Sequence, residues 1–323
     1  MTSPNTPDLN LAALEDRGCL RVTGADAITF LDGLLTSSIT PVAIGEAKLG
    51  GLLSPQGKVL FDFIVYRETE TSALLDVSSA LISGLKQRLT MYKLRSQVDI
   101  ADLSDEISIA AAWSTSSNVE ISADAISAFS YRDPRTSQLG LRLLTTSPDE
   151  AAAALSANIT TPADYNAHRI SLGVPAGGED FTYGSAFPYD AMMDQMGGVD
   201  FEKGCYVGQE VVSRMHHRGT ARKRIIMVTG TRDLPAAGTP IMIGEANIGT
   251  LGSSAGQRGL ATVRLDRLRD GLEQGHSVEV DGETVTVKQP DYVDYTLETF
   301  NISPLERHRA AAAASTAAPP QSS

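Results

Sequence analysis

The chain has 323 residues, 27 Lys plus Arg against 39 Asp plus Glu, a formal charge of −12, and 42% hydrophobic residues. That length accommodates two or three domains at roughly 100–200 residues each, and the composition excludes disorder over most of the chain. The acidity argues against a surface that binds nucleic acid or an anionic membrane as a whole. Two cysteines, Cys19 and Cys205, are too few for a disulfide scaffold or a tetrathiolate metal site.

Met1 to Asp8 show neither the basic start and apolar run of a secretory signal nor the arginines of a transit peptide. No apolar stretch approaches the ~20 residues of a membrane-spanning helix, so a cytoplasmic protein is expected. Leu20 to Thr23 reads as a strand, and Asp26 to Leu35 carries apolar residues at helical spacing. Gly50 to Tyr66 reads as a hairpin around Ser54-Pro-Gln-Gly57, because Pro fixes one turn dihedral and Gly permits a positive one. Ala73 to Val77 is a further strand, after which Ser78 or Ser79 caps a helix with Leu81, Ile82, Leu85, Leu89 and Tyr92 on one face.

Ile107 to Trp113 and Leu139 to Leu144 read as strands of a second mixed unit. Ser147-Pro-Asp-Glu150 and Thr161-Pro-Ala-Asp164 each place a cap, a first-turn Pro and a reciprocal acid ahead of a helix. The second of these helices ends at Gly173-Val-Pro175. From Arg224 the pattern becomes short strands at 225–229, 239–243, 259–265 and 278–288, with the turn pair Asp281-Gly282 inside the last. Such a run suggests a small barrel or sandwich beyond a boundary near residue 222. Residues 305–323 are a low-complexity Ala/Ser/Pro tail, expected to be disordered.

The segment with most chemical promise is Lys203-Gly-Cys-Tyr-Val-Gly-Gln-Glu210. Gly204 and Gly208 allow a tight turn that leaves Cys205 accessible, and a helix opens just after it. The positive end of that helix and Lys203 both favour thiolate; the alternative is a small buried cysteine. Cys19 reads as an ordinary strand residue. Residues 203–224 hold six cations (Lys203, Arg214, Arg218, Arg222, Lys223 and Arg224) against one acid, Glu210. They form either an anion-binding patch or a solvated face paired with the chain's own acids. His216 and His217 are spaced so that they could serve Cys205 as base or join it at zinc, though that spacing is not diagnostic.

The octapeptide resembles the signature of the YgfZ folate-binding family, the CAF-type iron–sulfur assembly factors related to the glycine-cleavage T-protein. Further blocks fall in the family's order: Phe30-Leu-Asp-Gly-Leu-Leu-Thr36, Leu53-Ser-Pro-Gln-Gly-Lys-Val-Leu-Phe-Asp62 and Tyr92-Lys-Leu-Arg95. Asp133-Pro-Arg135 with Gly140-Leu-Arg142, Arg169-Ile-x-x-Gly-Val-Pro175, and Phe187-Pro-Tyr-Asp190 continue the series, so that the resemblance covers residues 10–300. It implies an α+β, T-protein-like fold. Two interlocked α+β subdomains would form a folate-binding module over residues 10–222, with a β-barrel over 223–300.

The implied function is assembly or repair of iron–sulfur clusters in target enzymes, with a tetrahydrofolate derivative as cofactor and iron–sulfur carriers or clients as partners. Support of tRNA modification would follow through such an enzyme. The resemblance makes Cys205 and Lys203 the reactive pair, with Cys205 as ligand to a shared or transient cluster. Tyr206, Gln209, Glu210 and Arg214 complete the signature, while Asp62, Arg169 and Asp190 become folate contacts. The basic stretch would receive a polyglutamate tail or an acidic partner. Two departures from the transferases tell against their chemistry. Phe61-Asp62 stands where they tend to carry two acids, and Asp190 where they carry glutamate; a carboxylate one methylene shorter sits over about 1 Å away. For Asp62 and Asp190 the alternative role is an ordinary surface or capping acid. A folate-dependent one-carbon (aminomethyl) transferase is the competing function, and direct RNA binding lacks an aromatic recognition motif.

Overall fold

The computed structural model describes residues 9–116, 129–219 and 221–300; the 305–323 tail lies outside them. β1 (Leu9–Ala13) belongs to a sheet that the chain completes only after building another. That other sheet is antiparallel throughout and consists of β2 (Arg17–Thr23), β3 (Ala47–Leu53), β4 (Val59–Thr69), β5 (Ser72–Ser78) and β6 (Asp99–Asp102). Its strand order is β3-β4-β5-β2-β6. Period-two alternation sorts its side chains: Phe61, Phe63, Val65, Leu75 and Val77 pack under α1 (Ala27–Leu34) and α2 (Ile82–Lys93). Cys19, Ile64, Tyr66 and Leu74 point the other way, into a core shared with the second sheet and the barrel.

The second sheet adds β7 (Ser108–Ser114), β8 (Phe129–Arg132), β9 (Leu141–Thr145) and β10 (Asn158–Ile159) to β1, in the order β10-β1-β7-β9-β8. Because β1 is laid down before the first sheet and β7 after it, the two α+β units are interlocked. α3 (Pro148–Leu155) covers the second sheet through Ala151 and Ala152. α4 (Pro162–Ser171) starts at a full capping box between Thr161 and Asp164. Ser147 caps α3 by accepting from the Glu150 N–H, without the reciprocal bond. No side-chain cap forms at Ser78 or Ser79, where the chain makes a short 3-10 turn before α2.

After α5 (Gln209–Arg218) comes a closed six-stranded barrel. It is built from β11 (Lys223–Thr229), β12 (Pro240–Ile243), β13 (Ala246–Ala255), β14 (Arg258–Arg264), β15 (Val278–Val280) and β16 (Glu283–Lys288), with α6 (Leu265–Glu273) between β14 and β15. Asp281 and Gly282, both at positive φ, make the β15–β16 turn that the sequence anticipates. β13 is not among the strands the sequence suggests, yet it pairs with both β12 and β14. α4 lies on β13 and β14 and joins barrel to sheet. Among the described residues no helix is long and apolar enough to cross a membrane.

Candidate functional site

The Cys205 turn is held from three sides. At the end of α1 the carbonyls of Asp32, Leu35 and Ser37 converge, and the Lys203 ammonium donates to all three at 2.6, 2.8 and 3.0 Å. Burial pulls the Lys203 ammonium below its ordinary pKa, with Asp32 and Asp200 opposing. Thr36 donates to the Gly198 carbonyl at 2.5 Å and accepts the Asp200 N–H at its own carbonyl. Ser38 donates to Asp200 at 2.5 Å. The Phe30–Thr36 block is therefore the bed on which the signature lies.

On the second side, Gly208 sits at φ +83, and a Cβ there would come 2.5 Å from the Ser54 carbonyl and 3.0 Å from Gly57. Only glycine permits that approach of the signature to the β3–β4 turn. On the third side Tyr206 is buried, and burial pushes its phenol up to about 12. Gln209 closes the turn by donating to the Lys203 carbonyl at 3.3 Å. With its neighbours tied down, Cys205 is exposed. Cys19 is buried in β2, and burial first, then Asp76, pushes its thiol up to about 12.

Lys203 thus acts as a clamp on backbone carbonyls. The histidines are engaged elsewhere: His216 stacks on Phe201 at 3.7 Å and bonds the Tyr189 hydroxyl, while His217 bonds the Ser213 carbonyl. Among the described residues no group of three or more His, Cys, Asp or Glu could hold a metal ion, so the Cys205–His216–His217 zinc arrangement does not form. Glu210 and Arg214 pair with each other on the exposed face of α5 at 2.6 Å.

The basic stretch also comes apart. Arg224 is buried, forked onto Asp194 at 2.6 and 2.9 Å and flanked by Tyr189 and Tyr295. With Lys203 also consumed inside, no single patch of six cations exists. Among the described residues, the side chains of Arg218 and Lys223 make no hydrogen bond or ion pair. The side chains of Lys86, Arg88 and Arg95, on and just after α2, make none either.

The three folate candidates occupy different settings. Asp62 lies on the β4 face opposite the helices and accepts from the Tyr183 hydroxyl at 2.5 Å. Burial, then Asp62, raises the Tyr183 phenol well above its ordinary value. Gly177 makes this contact possible, since a Cβ there would lie 1.9 Å from the Tyr183 oxygen. Asp190 accepts the Phe187 N–H at 2.9 Å, a capping role, and burial raises its carboxyl despite Phe187, Lys223 and Lys58. Lys58 lies 3.1 Å from the centre of the Phe187 ring.

Arg169 is buried and spends its donors on the Val174 carbonyl (3.1 Å), Asp180 (2.8 Å) and Glu179 (2.5 Å). It ties down the loop whose Asp180 grips Ser253 of the barrel. Asp62 therefore has a tyrosine partner that the sequence reading did not foresee; Tyr183 carries no motif that would have marked it.

Interlocked sheets with a closed C-terminal barrel define the aminomethyltransferase fold of the glycine cleavage system. The structure of aminomethyltransferase T from Bartonella henselae superposes with a TM-score of 0.69 at 17% identity, covering 90% of this chain and 88% of that one. Residues 11–122 match the GCVT N-terminal domain and residues 222–295 the CAF17 C-terminal β-barrel domain.

The chain belongs to the CAF17/IBA57 family. It is 34% identical over 283 residues to the human iron–sulfur cluster assembly factor IBA57, mitochondrial, covering 80% of this chain and 78% of the human one. For the Mus musculus protein of that name the figures are 32% over 307 residues, 86% and 84%. A Mycosarcoma maydis homolog is 33% identical over 245 residues, 71% of this chain; the chain spans only 58% of that fungal relative. These relatives are mitochondrial by name, which overturns the expectation of a cytoplasmic protein. They also carry the IBA57 name, so the family stands at this broader level and not as YgfZ.

Proposed function

We propose that the protein is a folate-binding accessory factor for assembly or repair of iron–sulfur clusters, in which the Cys205 thiolate contacts the cluster as it passes to a client. The observation that carries this reading is an exposed cysteine on a turn whose other members are locked by Lys203, Gly208 and Tyr206. A rigid support of this kind positions a ligand without occupying it. One protein thiolate cannot complete a cluster's coordination, so the remaining ligands come from a carrier or client protein. The relatives' names, iron–sulfur cluster assembly factors, support the same reading.

Residues 10–222 form the folate-binding module in this account, residues 223–300 the barrel. Asp62 and Asp190 fit a folate in one respect: each carboxylate has one oxygen engaged by the protein and the other without a hydrogen bond among the described residues. Such oxygens suit the N–H edge of a pterin. Support of tRNA modification is then a downstream effect on a cluster-dependent enzyme.

The test is anaerobic cluster delivery from a loaded carrier to a client apoenzyme, with and without tetrahydrofolate, for wild type and Cys205→Ala. Loss of delivery in the variant with folate affinity retained is the expected result. Full delivery by Cys205→Ala refutes the reading, and folate turnover indifferent to Cys205 supports an aminomethyl transferase instead.

A further inference from the structure

Three sequence blocks that the Cys205 turn does not use meet at one cavity. Arg17 at the head of β2, Arg135 and Arg142 from the blocks around β8 and β9, and Arg169 on α4 border a cleft of about 370 Å³ with Tyr165 and Asn166. The arginines lie at its floor and are mostly buried, with side-chain exposures of 17%, 12%, 3% and 5%. Exposed Glu15, Asp16 and Glu179 stand at its rim.

At the floor Arg169 has Asp180 and Glu179 to itself, and the shortage of counter-charge is confined to the other three arginines. Arg17 holds Asp76 through Nε and Nη2, at 2.6 Å to the carboxylate and 2.7 Å to the carbonyl. Arg135 holds Asp133 through Nε and Nη2, at 2.9 and 2.6 Å, and Nη2 also donates to the Tyr165 hydroxyl at 3.1 Å. Arg142 reaches Asp133 at 3.2 Å and the Tyr165 hydroxyl at 3.0 Å, while its buried Nη1 makes no hydrogen bond and lies 3.5 Å from Asp76. Three guanidiniums thus share two buried carboxylates, and the Nη1 groups of Arg17 and Arg135 have no hydrogen bond among the described residues. A buried cation short of its counter-ion is costly unless an anion is supplied. Arg17, anchored through Nε and one Nη2 hydrogen, keeps an Nη1/Nη2 edge preorganised to take a carboxylate, and Arg135 adds its Nη1 hydrogens.

We propose that this cleft binds the carboxylate end of a small molecule, with Arg17 and Arg135 as its anchors. The acidic rim disfavours polyanions and favours a ligand whose remainder is neutral or cationic. Two sources share this chemistry: the glutamyl end of a folate, and a free amino acid. Only the first rests on the folate reading above; the second stands without it.

Calorimetric titration of the full-length protein at low ionic strength tests the site, with L-glutamate, glycine, inorganic phosphate, tetrahydrofolate and tetrahydropteroate as probes. Saturable binding of L-glutamate or tetrahydrofolate is expected, weakened at least about tenfold by Arg17→Gln, in which Arg142 continues to serve Asp76. If Arg17→Gln does not fold, Arg135→Lys, which keeps the charge but loses the Nη1 donors, is expected to weaken binding similarly. Glutamate displaced by tetrahydrofolate but not by tetrahydropteroate identifies the folate tail as occupant. Independent binding of the two identifies a free amino acid. Absence of heat with L-glutamate, glycine and tetrahydrofolate in wild type overturns the proposal, as does binding unchanged in both variants or binding of phosphate alone. Failure of tetrahydrofolate alone, with L-glutamate binding intact, sinks the folate reading and leaves this site standing.

Discussion

Replacing Lys203 with methionine keeps the length of the stem and deletes the three donors that hold the carbonyls of Asp32, Leu35 and Ser37. Hydrogen bonds from a charged donor contribute about 1.5–3 kcal/mol each, and a cation at a helix C-terminus adds about 0.3–1 kcal/mol. The site is only half-buried, so water recovers part of that loss, and a net destabilisation of about 3 kcal/mol is expected. For a chain of 323 residues that corresponds to a drop in melting temperature of roughly 4–5 °C. Lys203→Arg is expected to recover less than half of it, because a planar fork cannot place three donors where a tetrahedral ammonium does. Urea unfolding of the three proteins, with melting temperature as the second readout, measures both effects. A methionine variant within about 0.5 kcal/mol of wild type, in the range of a neutral surface substitution, refutes the clamp.

Gly208→Ala must move the turn, since its Cβ would lie 2.5 Å from the Ser54 carbonyl at a φ of +83. A loss of about 2 kcal/mol or more is expected with reduced cluster delivery; calorimetry showing an unchanged melting temperature contradicts the close approach. Asp190→Asn relieves a carboxyl that burial holds above its ordinary pKa. Neutral-pH stability should therefore stay level or rise by under about 1 kcal/mol while tetrahydrofolate affinity falls about tenfold; equilibrium binding that is unaltered removes Asp190 from the folate contacts. Burial alone would raise the Asp76 and Asp133 carboxyls, but Arg17, Arg135 and Arg142 outweigh it and hold both below the usual carboxylate range. The stability they contribute is whole above about pH 4 and lost as pH falls through and below that range. A urea midpoint that stays flat from pH 5 to pH 3 would contradict it.

What was legible in the sequence was local. The Ser54–Gly57 turn, the Thr161 capping box and the Asp281-Gly282 hairpin depend on neighbours within a few residues, and each forms as read. What stayed hidden depends on distant partners. Lys203 looks like a cation beside a thiol until its acceptors, 166 to 171 residues upstream, are in place. Arg224 seems part of a basic run until Asp194 meets it inside the fold. Summed charge along the chain cannot separate a cation facing solvent from one buried on a carboxylate. For the same reason, Arg17, Arg135 and Arg142 are three unrelated residues in the sequence and one charge cluster in the structure.

In the proposed function one of the two cysteines, Cys205, carries the activity and the other does not. Anaerobic maturation of an apo iron–sulfur client, followed by recovery of the client's activity, tests it directly when Cys205→Ala and Cys19→Ala are compared at equal folded concentration. Cys205→Ala is expected to lose maturation while still binding folate, and Cys19→Ala, which changes only a buried strand residue, to retain it. Equal maturation by the two variants would contradict that assignment.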